Sequence, residues 1–267
     1  MRDVKQDEKA IIQTSEVDSE AFTDFAVRLF QASAEEGKNV LISPLSVLSA
    51  LAMTANGAKN KTLSQMEAVL GMSTDELNKY FYTYMKALPQ GDEYKLNLAN
   101  SIWFTNDERF TVKEAFLQTN ANYYGANVYK TPFDNTTVKN VNDWVNEKTD
   151  GMIPEILDKI SANEVMYLIN ALAFEAEWII PYEEHAVQDG VFTLENGTGR
   201  QVELMHGKEY IYLEDELATG FVKNYKRAGY AFVALLPKEG VSVAEYVNAL
   251  SGESLQRLLS NVSDEPV

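Results

Sequence analysis

The sequence predicts an α+β fold, and three observations carry this expectation. Helical patterns fill the N-terminal part of the chain, whereas strand patterns dominate after Pro181. The segments expected to form sheets lie far apart in the sequence. The chain has 267 residues, of which 45% are apolar, so it can bury a sizeable core.

The first two helices have recognisable ends. We expect a helix from Glu20, ended by Gly37, because apolar residues recur there at helical spacing. Ser43 can cap the start of the next helix through its hydroxyl, and Pro44 suits the first helical position because its missing N–H would be unpaired there. The segment 45–55 contains no charged residue. We therefore expect this helix to be buried on nearly all sides.

Two further helices are expected from pairs of residues that can form capping boxes, and each has a residue that ends it. The pairs are Thr62 with Gln65 and Ser73 with Glu76, and the ends are Gly71 and Pro89.

The longest strand candidate covers residues 164–180, and its apolar residues fall on both faces. Both faces should therefore be covered by other layers. Gly197-Thr198-Gly199 is typical of a hairpin turn. The other expected elements are strands at 96–104, 127–133, 190–194, 201–205, 210–213, 219–225 and 230–236, and helices at 112–124, 138–149, 243–250 and 254–259.

Composition excludes several classes of partner. The chain has 40 acidic and 23 basic residues and a net charge of −17, so we expect no binding to nucleic acid. The longest apolar run is interrupted by Asn170, Glu175 and Glu177, so no membrane span is expected. Cysteine is absent, which excludes disulfides, thiolate metal sites and a cysteine nucleophile.

No catalytic or cofactor-binding pattern is present. His185 and His206 do not have the spacing of a zinc site, and the chain lacks the short motifs of serine hydrolases and of phosphate-binding loops. Acidic clusters such as Glu183-Glu184 are interpreted as solvated surface. We therefore expect no metal, no cofactor and no enzymatic activity.

Asn170 is the polar residue most in need of an explanation. It shares a strand face with three apolar side chains, and a buried amide left unpaired would cost about 1–3 kcal/mol. It could bond to the backbone of its own strand, or it could join a tertiary network of hydroxyl groups. Ser43 and Ser46 are the candidates for such a network.

Several motifs occur in a fixed order along the chain. They are Asn39-Val-Leu-Ile-Ser43-Pro44-Leu-Ser46, Gly57-Ala58, Thr62-Leu63, Asn142-Asp143-Trp144, Thr149-Asp-Gly151-Met-Ile153, Leu168-Ile-Asn170-Ala-Leu-Ala-Phe174 and Trp178. Together they resemble the serpin family of serine protease inhibitors, over about residues 20 to 260. One departure is Glu175-Ala176-Glu177, where serpins commonly have a basic, glycine-containing step; it puts charge pairing there in doubt.

The resemblance implies a single domain over residues 1–267, with several helices packed around a large central mixed β-sheet and smaller accompanying sheets. It implies that Ser43, Ser46 and Asn170 belong to the shutter, the region where strands of the main sheet part. It also implies that Trp178 lies in the breach, at the top of that sheet. The family places its shutter histidine, its reactive loop and its final strands beyond the position of Val267, so we expect no reactive bond in this chain and an incomplete fold.

The resemblance also implies a function. A serpin traps a serine protease, or in some cases a cysteine protease, as a suicide substrate: the cut loop inserts into the main sheet and releases the strain of a metastable fold. The alternative is a non-inhibitory serpin that acts as a carrier or chaperone-like binder, and the sequence after Val267 would distinguish the two.

Other expectations concern partners and location. A heparin-like polyanion is not expected, because the segment 73–90 carries only Lys79 and Lys86. We expect a monomer whose partner is the target protease. No secretory signal is visible at the N-terminus. The resemblance nevertheless favours an extracellular protein, with the cytoplasm as the alternative.

Overall fold

The computed structural model describes residues 19–35, 37–88, 94–194, 196–226 and 229–261. Over these residues the chain forms eight α-helices and eight β-strands. The helices are α1 (Ser19–Ser33), α2 (Pro44–Ala55), α3 (Asn60–Leu70), α4 (Thr74–Ala87), α5 (Glu114–Tyr124), α6 (Asn135–Lys148), α7 (Val243–Ala249) and α8 (Gly252–Ser260). The strands are β1 (Tyr94–Thr105), β2 (Asn127–Thr131), β3 (Met166–Ala176), β4 (Val187–Thr193), β5 (Gly199–Met205), β6 (Ile211–Glu214), β7 (Ala218–Asn224) and β8 (Ala231–Pro237).

These elements confirm the expected α+β class, and they divide into two compact units. The first unit is built from residues 43–90 and 95–175 together with the start of α1. The second is built from residues 176–267 together with the end of α1 and the segment that follows it.

The first unit contains a three-stranded sheet in the order β2-β1-β3. Strands β1 and β2 are parallel, with Ser101 opposite Asn127 and Thr105 opposite Thr131. The backbone N–H of Thr105 donates to the carbonyl of Val165 at 3.0 Å, which brings the end of β1 beside the start of β3. The second half of β1 is buried throughout, so this strand forms the centre of the sheet.

Helix α6 covers one face of that sheet. Asp134 caps its start by accepting the backbone N–H groups of Thr136 and Thr137. The buried cluster between helix and sheet consists of Trp103, Val141, Trp144, Val145, Ile169 and Ala171. Trp103 stacks on Tyr129 with ring centroids 4.0 Å apart. This packing buries the face of β3 that carries Ile169 and Ala171.

Most expected helix ends are confirmed. Ser43 caps α2 and accepts the N–H of Ser46. Ser73 and Glu76 form the expected capping box of α4. Gly71 ends α3 in the left-handed conformation, at φ +77°, which glycine adopts without strain. The expected end at Pro89 lies outside the described residues.

Three details of the helices differ from the expectation. Helix α3 begins at Asn60, so Thr62 and Gln65 lie inside it and do not cap it; its N-cap is Lys59, which makes no side-chain capping bond. Helix α1 ends at Ser33, before Gly37. Helix α2 is not buried on all sides, since Leu51 is partly exposed on the side away from the core.

Strand β3 is shorter than predicted. It ends at Ala176 because the following residues bond to β7: the N–H of Ile179 donates to the carbonyl of Asn224 at 3.0 Å. Ile180, which the prediction placed in the strand, is exposed. The face of β3 that carries Ile169 is buried, whereas the face that carries Asn170 is half-buried, so the expected cover is complete on one face and partial on the other.

The second unit contains a hairpin and a small sheet. Strands β4 and β5 are antiparallel, with Thr193 opposite Gly199. Gly197 occupies the turn between them at φ +80°, as the sequence predicted. Strands β6, β7 and β8 form an antiparallel sheet in that order. In the part of the chain that the structure describes, no helix is long and apolar enough to cross a membrane.

We predict that Leu48→Ala lowers the free energy of unfolding by about 2–5 kcal/mol, because Leu48 is fully buried in α2 and its truncation leaves a cavity. Leu41→Ala is the matched control: Leu41 is 98% exposed, and the change should stay within about 0.5 kcal/mol. Urea unfolding followed by circular dichroism measures both. Equal losses in the two variants would show that the core does not lie where we place it.

Candidate functional site

A buried network of polar side chains connects the strands of the first unit with its helices. The Nδ2 of Asn170 donates to the Oδ1 of Asn100 at 2.9 Å, which links β3 to β1. The Oγ of Ser49 in α2 donates to the same oxygen at 3.1 Å. The Nδ2 of Asn100 donates to the carbonyl of Tyr124, at the end of α5, at 2.9 Å. Asn100 is therefore the centre of the network.

The local structure explains why these groups meet. Asn100 lies in the buried half of β1 and is 2% exposed, and Ser49 is fully buried on the inner face of α2. Neither group can reach water, so each needs a protein partner. Asn170 lies on the half-buried face of β3. Its amide therefore joins the network from the more open side.

Asn170 joins a tertiary network, as the second interpretation expected, but Ser43 and Ser46 are not the hydroxyl groups in that network. The hydroxyl of Ser43 donates to the hydroxyl of Ser46 at 2.9 Å and also accepts the backbone N–H of Ser46. Both hydroxyl groups are thus engaged in the first turn of α2. The serine that reaches the network lies one turn further along, at Ser49, and it reaches Asn170 only through Asn100.

The side chain of Asn170 is only partly satisfied in the network. The Oδ1 of Asn170 is buried and accepts no hydrogen bond within the described part of the chain. Buried polar atoms normally have a partner, and a bare acceptor is costly. The network is therefore complete at Asn100 and incomplete at Asn170.

Sequence reasoning missed Asn100 and Ser49, although a signal for both was present. Asn100 stands in the apolar strand sequence 96–104, and Ser49 stands in the uncharged segment 45–55. A polar residue within a segment expected to be buried should be searched for partners in the same way as Asn170.

The motif Thr149-Asp-Gly151-Met-Ile153 ends α6 and turns the chain towards β3. Thr149 is fully buried; its hydroxyl donates to the carbonyl of Val145 at 2.8 Å and accepts the N–H of Ile153 at 3.0 Å. Gly151 adopts φ +83°, which requires glycine. Asn142 fixes the following segment by accepting the N–H groups of Ile156 and Leu157, both at 3.0 Å. The motif therefore has a structural role.

Trp178, in the second unit, packs against Tyr225, which follows β7, and Phe232 in β8. It forms an isolated antiparallel bridge with Tyr225 and stacks on its ring at a centroid distance of 4.2 Å. Its ring also meets Phe232 edge-on at 6.0 Å. These contacts fix the ring of Trp178 within the second unit, and its role in a breach stays a prediction.

Charge pairing beside Trp178 is present despite the departure at Glu175-Ala176-Glu177. The Nζ of Lys226 bonds to the Oε2 of Glu177 at 2.7 Å, and the N–H of Lys226 donates to the carbonyl of Glu177 at 2.7 Å. The hydrogen bond from Lys226, and after it the positive charge of Lys226, hold the pKa of Glu177 below its ordinary value. The doubt about charge pairing at this position is therefore removed for Glu177.

The structure shows no arrangement suited to catalysis among the described residues. His185 and His206 are both exposed. Within the described ranges, no group of three or more His, Cys, Asp or Glu side chains could hold a metal ion. The contacts of the Asn100 network join β1 and β3 to α2 and α5, and those of Trp178 join it to Tyr225 and Phe232.

The chain is similar to known proteins over most of its length. Residues 20–267 match the family described as Serpin (serine protease inhibitor). The chain is 30% identical to human Serpin B9 over 251 residues, which cover 89% of the chain and 66% of Serpin B9. It is 30% identical to the horse leukocyte elastase inhibitor over 233 residues, which cover 83% of the chain and 61% of that inhibitor.

Solved structures agree with this result. The thermophilic serpin Tengpin in its native state is 45% identical with a TM-score of 0.91, covering 98% of this chain and 68% of that chain. Tengpin in its latent state is 46% identical with a TM-score of 0.90, covering 96% of this chain and 71% of that chain. The chain belongs to the serpin family, a family of protease inhibitors and not of enzymes. It spans less than two thirds of the length of Serpin B9 and of the horse inhibitor.

We predict that Asn100→Ala lowers the free energy of unfolding by about 1–3 kcal/mol, because it leaves Ser49, the amide of Asn170 and the carbonyl of Tyr124 without their partner. Asn97→Ala is the control on the same strand. Asn97 makes one exposed bond, to Asp150, so its loss should stay within about 0.5 kcal/mol. If chemical unfolding shows the same small loss for both variants, the network contributes no stability.

We predict that Lys226→Met raises the pKa of Glu177 towards its ordinary value, because Lys226 is the main cause of the lowering. A lowered folded-state pKa means that the pair stabilises the fold above the ordinary carboxyl pKa and stops doing so as the pH falls through the lowered value. NMR titration of the side-chain carboxyl carbons measures this change. Glu76, whose pKa is lowered chiefly by Ser73, should not respond. An unchanged titration of Glu177 would contradict the assignment.

Proposed function

We propose that this chain serves an inhibitor of serine endopeptidases that works by inserting a cut reactive loop into the sheet that contains β3. The observation that carries the proposal is the bond between Asn100 and Asn170, which joins β1 to β3 and leaves one buried acceptor unpaired. Membership of the serpin family supports it, as does the likeness to the leukocyte elastase inhibitor. In this proposal the reactive loop does not lie within residues 1–267.

In the proposed mechanism the chain supplies no reacting group. The protease nucleophile attacks a peptide carbonyl of the loop, the amine half leaves, and an acyl-enzyme ester remains. The freed loop then adds as a strand to the sheet, and its new backbone hydrogen bonds and buried side chains drive the change. Insertion must be faster than hydrolysis of the ester for the protease to stay trapped.

The residues of this chain control when the sheet admits the loop. Asn170 and Asn100 fix β3 on β1, so the other edge of β3 is the one that can receive the loop, and the Oδ1 of Asn170 can accept a donor brought by a further segment of the protein. Ser43 and Ser46 fix the first turn of α2, and in this way they support the shutter indirectly. Trp178, stacked on Tyr225, marks the breach where insertion begins.

The proposal has further parts. The partner is a serine protease, with a cysteine protease as the alternative target, and the inhibitor acts as a monomer in one domain outside the cell, with the cytoplasm as the alternative location. The net charge of −17 supports the absence of nucleic-acid and heparin-like partners. A carrier or chaperone-like binder without inhibitory action is the second candidate, and the experiment below separates the two.

We predict that residues 1–267 alone form no covalent complex with a protease, because no loop that can be cut and inserted lies within them in the proposed mechanism. The same residues co-expressed with the C-terminal segment of the full-length protein should form one. Incubation with a panel of serine and cysteine proteases, followed by denaturing gels, measures this. Each protease is also tested with its catalytic nucleophile replaced by alanine, which should form no complex.

Two outcomes would contradict the proposal. A complex that survives SDS and forms with residues 1–267 alone would show that the reactive bond lies within this chain. Cleavage of the full-length protein by every protease without any stable complex would favour the non-inhibitory carrier.

A further inference from the structure

Strand β7 contains a buried lysine, Lys223, that has no role in the mechanism described above. Lys223 is 5% exposed, and a lysine is rarely buried to this degree unless its charge is paired. Its Nζ bonds to the Oε1 of Glu209 at 2.5 Å, and the two side chains are 6% and 14% exposed. Glu209 lies just before β6 in the chain. A buried ion pair thus links β7 to the segment that precedes β6.

The same ammonium group also faces two aromatic rings. Its Nζ lies 4.4 Å from the ring centroid of Tyr182 and 5.5 Å from that of Trp178. A cation within about 6 Å of a ring is attracted to the ring face, and the attraction is stronger where water is excluded. Lys223 therefore holds two rings of the segment 177–182 with one charge, and Glu209 holds Lys223.

Among the described residues, segment 177–182 also makes other contacts with β7 and the residues after it. They include the hydrogen bonds from the Ile179 N–H to the Asn224 carbonyl and from the Lys226 N–H to the Glu177 carbonyl, the contacts of Trp178 with Tyr225 and Phe232, and the ion pair of Lys226 with Glu177. This ion pair is exposed, so solvent screens it. A short segment can open locally without global unfolding, and a buried contact can decide how often it does so.

A buried ion pair restricts the geometry of its two partners, because separating them leaves an uncompensated charge. An apolar residue at position 223 could pack in several ways against Trp178 and Tyr182. The ammonium of Lys223 must keep Glu209 within bonding distance, because a buried charge without its partner is strongly destabilising. The position of Trp178 is thereby tied to the position of Glu209.

We propose that Lys223 is a positioning residue which, with Glu209, latches the segment 177–182 onto β7 and fixes the ring of Trp178. The latch itself follows from the contacts of the second unit. Its consequence rests on the proposed function: the latch sets how readily the breach at Trp178 opens to admit the reactive loop.

The test uses amide hydrogen exchange measured by NMR. Lys223→Met removes the cation and Glu209→Gln removes its partner's charge while keeping the shape. In both variants the amides of Ile179 and Lys226 should exchange several-fold faster, because their hydrogen bonds depend on the latched segment. Lys223→Arg keeps a cation for the rings and the carboxylate, so it should restore part of the protection. If Lys223→Met does not fold, Glu209→Gln carries the test alone.

Two readouts separate a latch from a general contribution to stability. Amides in the middle of the sheet, such as Val222, should change less than those of Ile179 and Lys226. In protein labelled with 5-fluorotryptophan, the ¹⁹F resonance of Trp178 should move while those of Trp103 and Trp144 stay in place. Lys238→Met is the matched control, since Lys238 forms a half-exposed pair with Glu214 in the same unit, and it should leave Ile179 unchanged.

Unchanged exchange at Ile179 and Lys226 in both charge variants would overturn the latch, as would an equal increase at all amides of the sheet. The consequence for inhibition is measured separately, as the number of inhibitor molecules consumed per protease trapped by the full-length protein. If the parent protein traps no protease while Ile179 still responds to Lys223→Met, the proposed function has failed and the latch stands. If the parent protein traps protease and the consumption is the same in all variants, the latch has no part in inhibition.

Discussion

The hydrogen bond between Asn170 and Asn100 connects the sheet of the first unit to the helices that pack on it. It joins β3 to β1 through side chains, and Asn100 extends the connection to Ser49 in α2 and to the carbonyl of Tyr124. Moving β3 away from β1 would therefore disturb two helices as well as a strand. Buried networks are strong when every member is satisfied and weak where one is not. The Oδ1 of Asn170 has no partner among the described residues, so the network is incomplete at this end.

The two candidate sites use different physical means to hold a strand or segment in place. The site at Asn170 is built from neutral amides and a hydroxyl, which can exchange partners without leaving a charge behind. The site at Trp178 depends on the buried pair of Lys223 and Glu209, which cannot separate without leaving a charge in a dry environment. The first kind of contact can therefore adjust when a neighbouring group changes. The second suits a connection that must stay in one geometry until it is forced apart.

Local sequence patterns were sufficient to predict most helix ends and turns. They were not sufficient to predict which groups bond to the buried polar side chains. Ser43, the Ser73–Glu76 box and the turn at Gly197 were predicted because each depends on residues a few positions apart. Thr62 and Gln65 fit the same local pattern, yet α3 begins earlier, because spacing alone does not say which residue starts a helix. Ser49 and Asn100 were missed because their meeting depends on which face of α2 lies against β1, and packing decides that. The resemblance to serpins, and not periodicity, singled out Trp178.

The excess of acidic residues increases the electrostatic stabilisation that the buried Lys223 provides. With 40 acidic and 23 basic residues the protein carries a negative field, in which a buried cation is stabilised and a further bare carboxylate is not. Loss of Lys223 would leave Glu209 as such a carboxylate, 14% exposed and without its partner. Salt screens exposed pairs such as Lys226 with Glu177, but it screens a buried pair much less. The hold on Trp178 should therefore depend little on ionic strength, while the charge pairing around it weakens as salt is added. A conformational change that begins at Trp178 would then be governed by packing and buried charge, and only slightly by the ionic conditions of the surrounding medium.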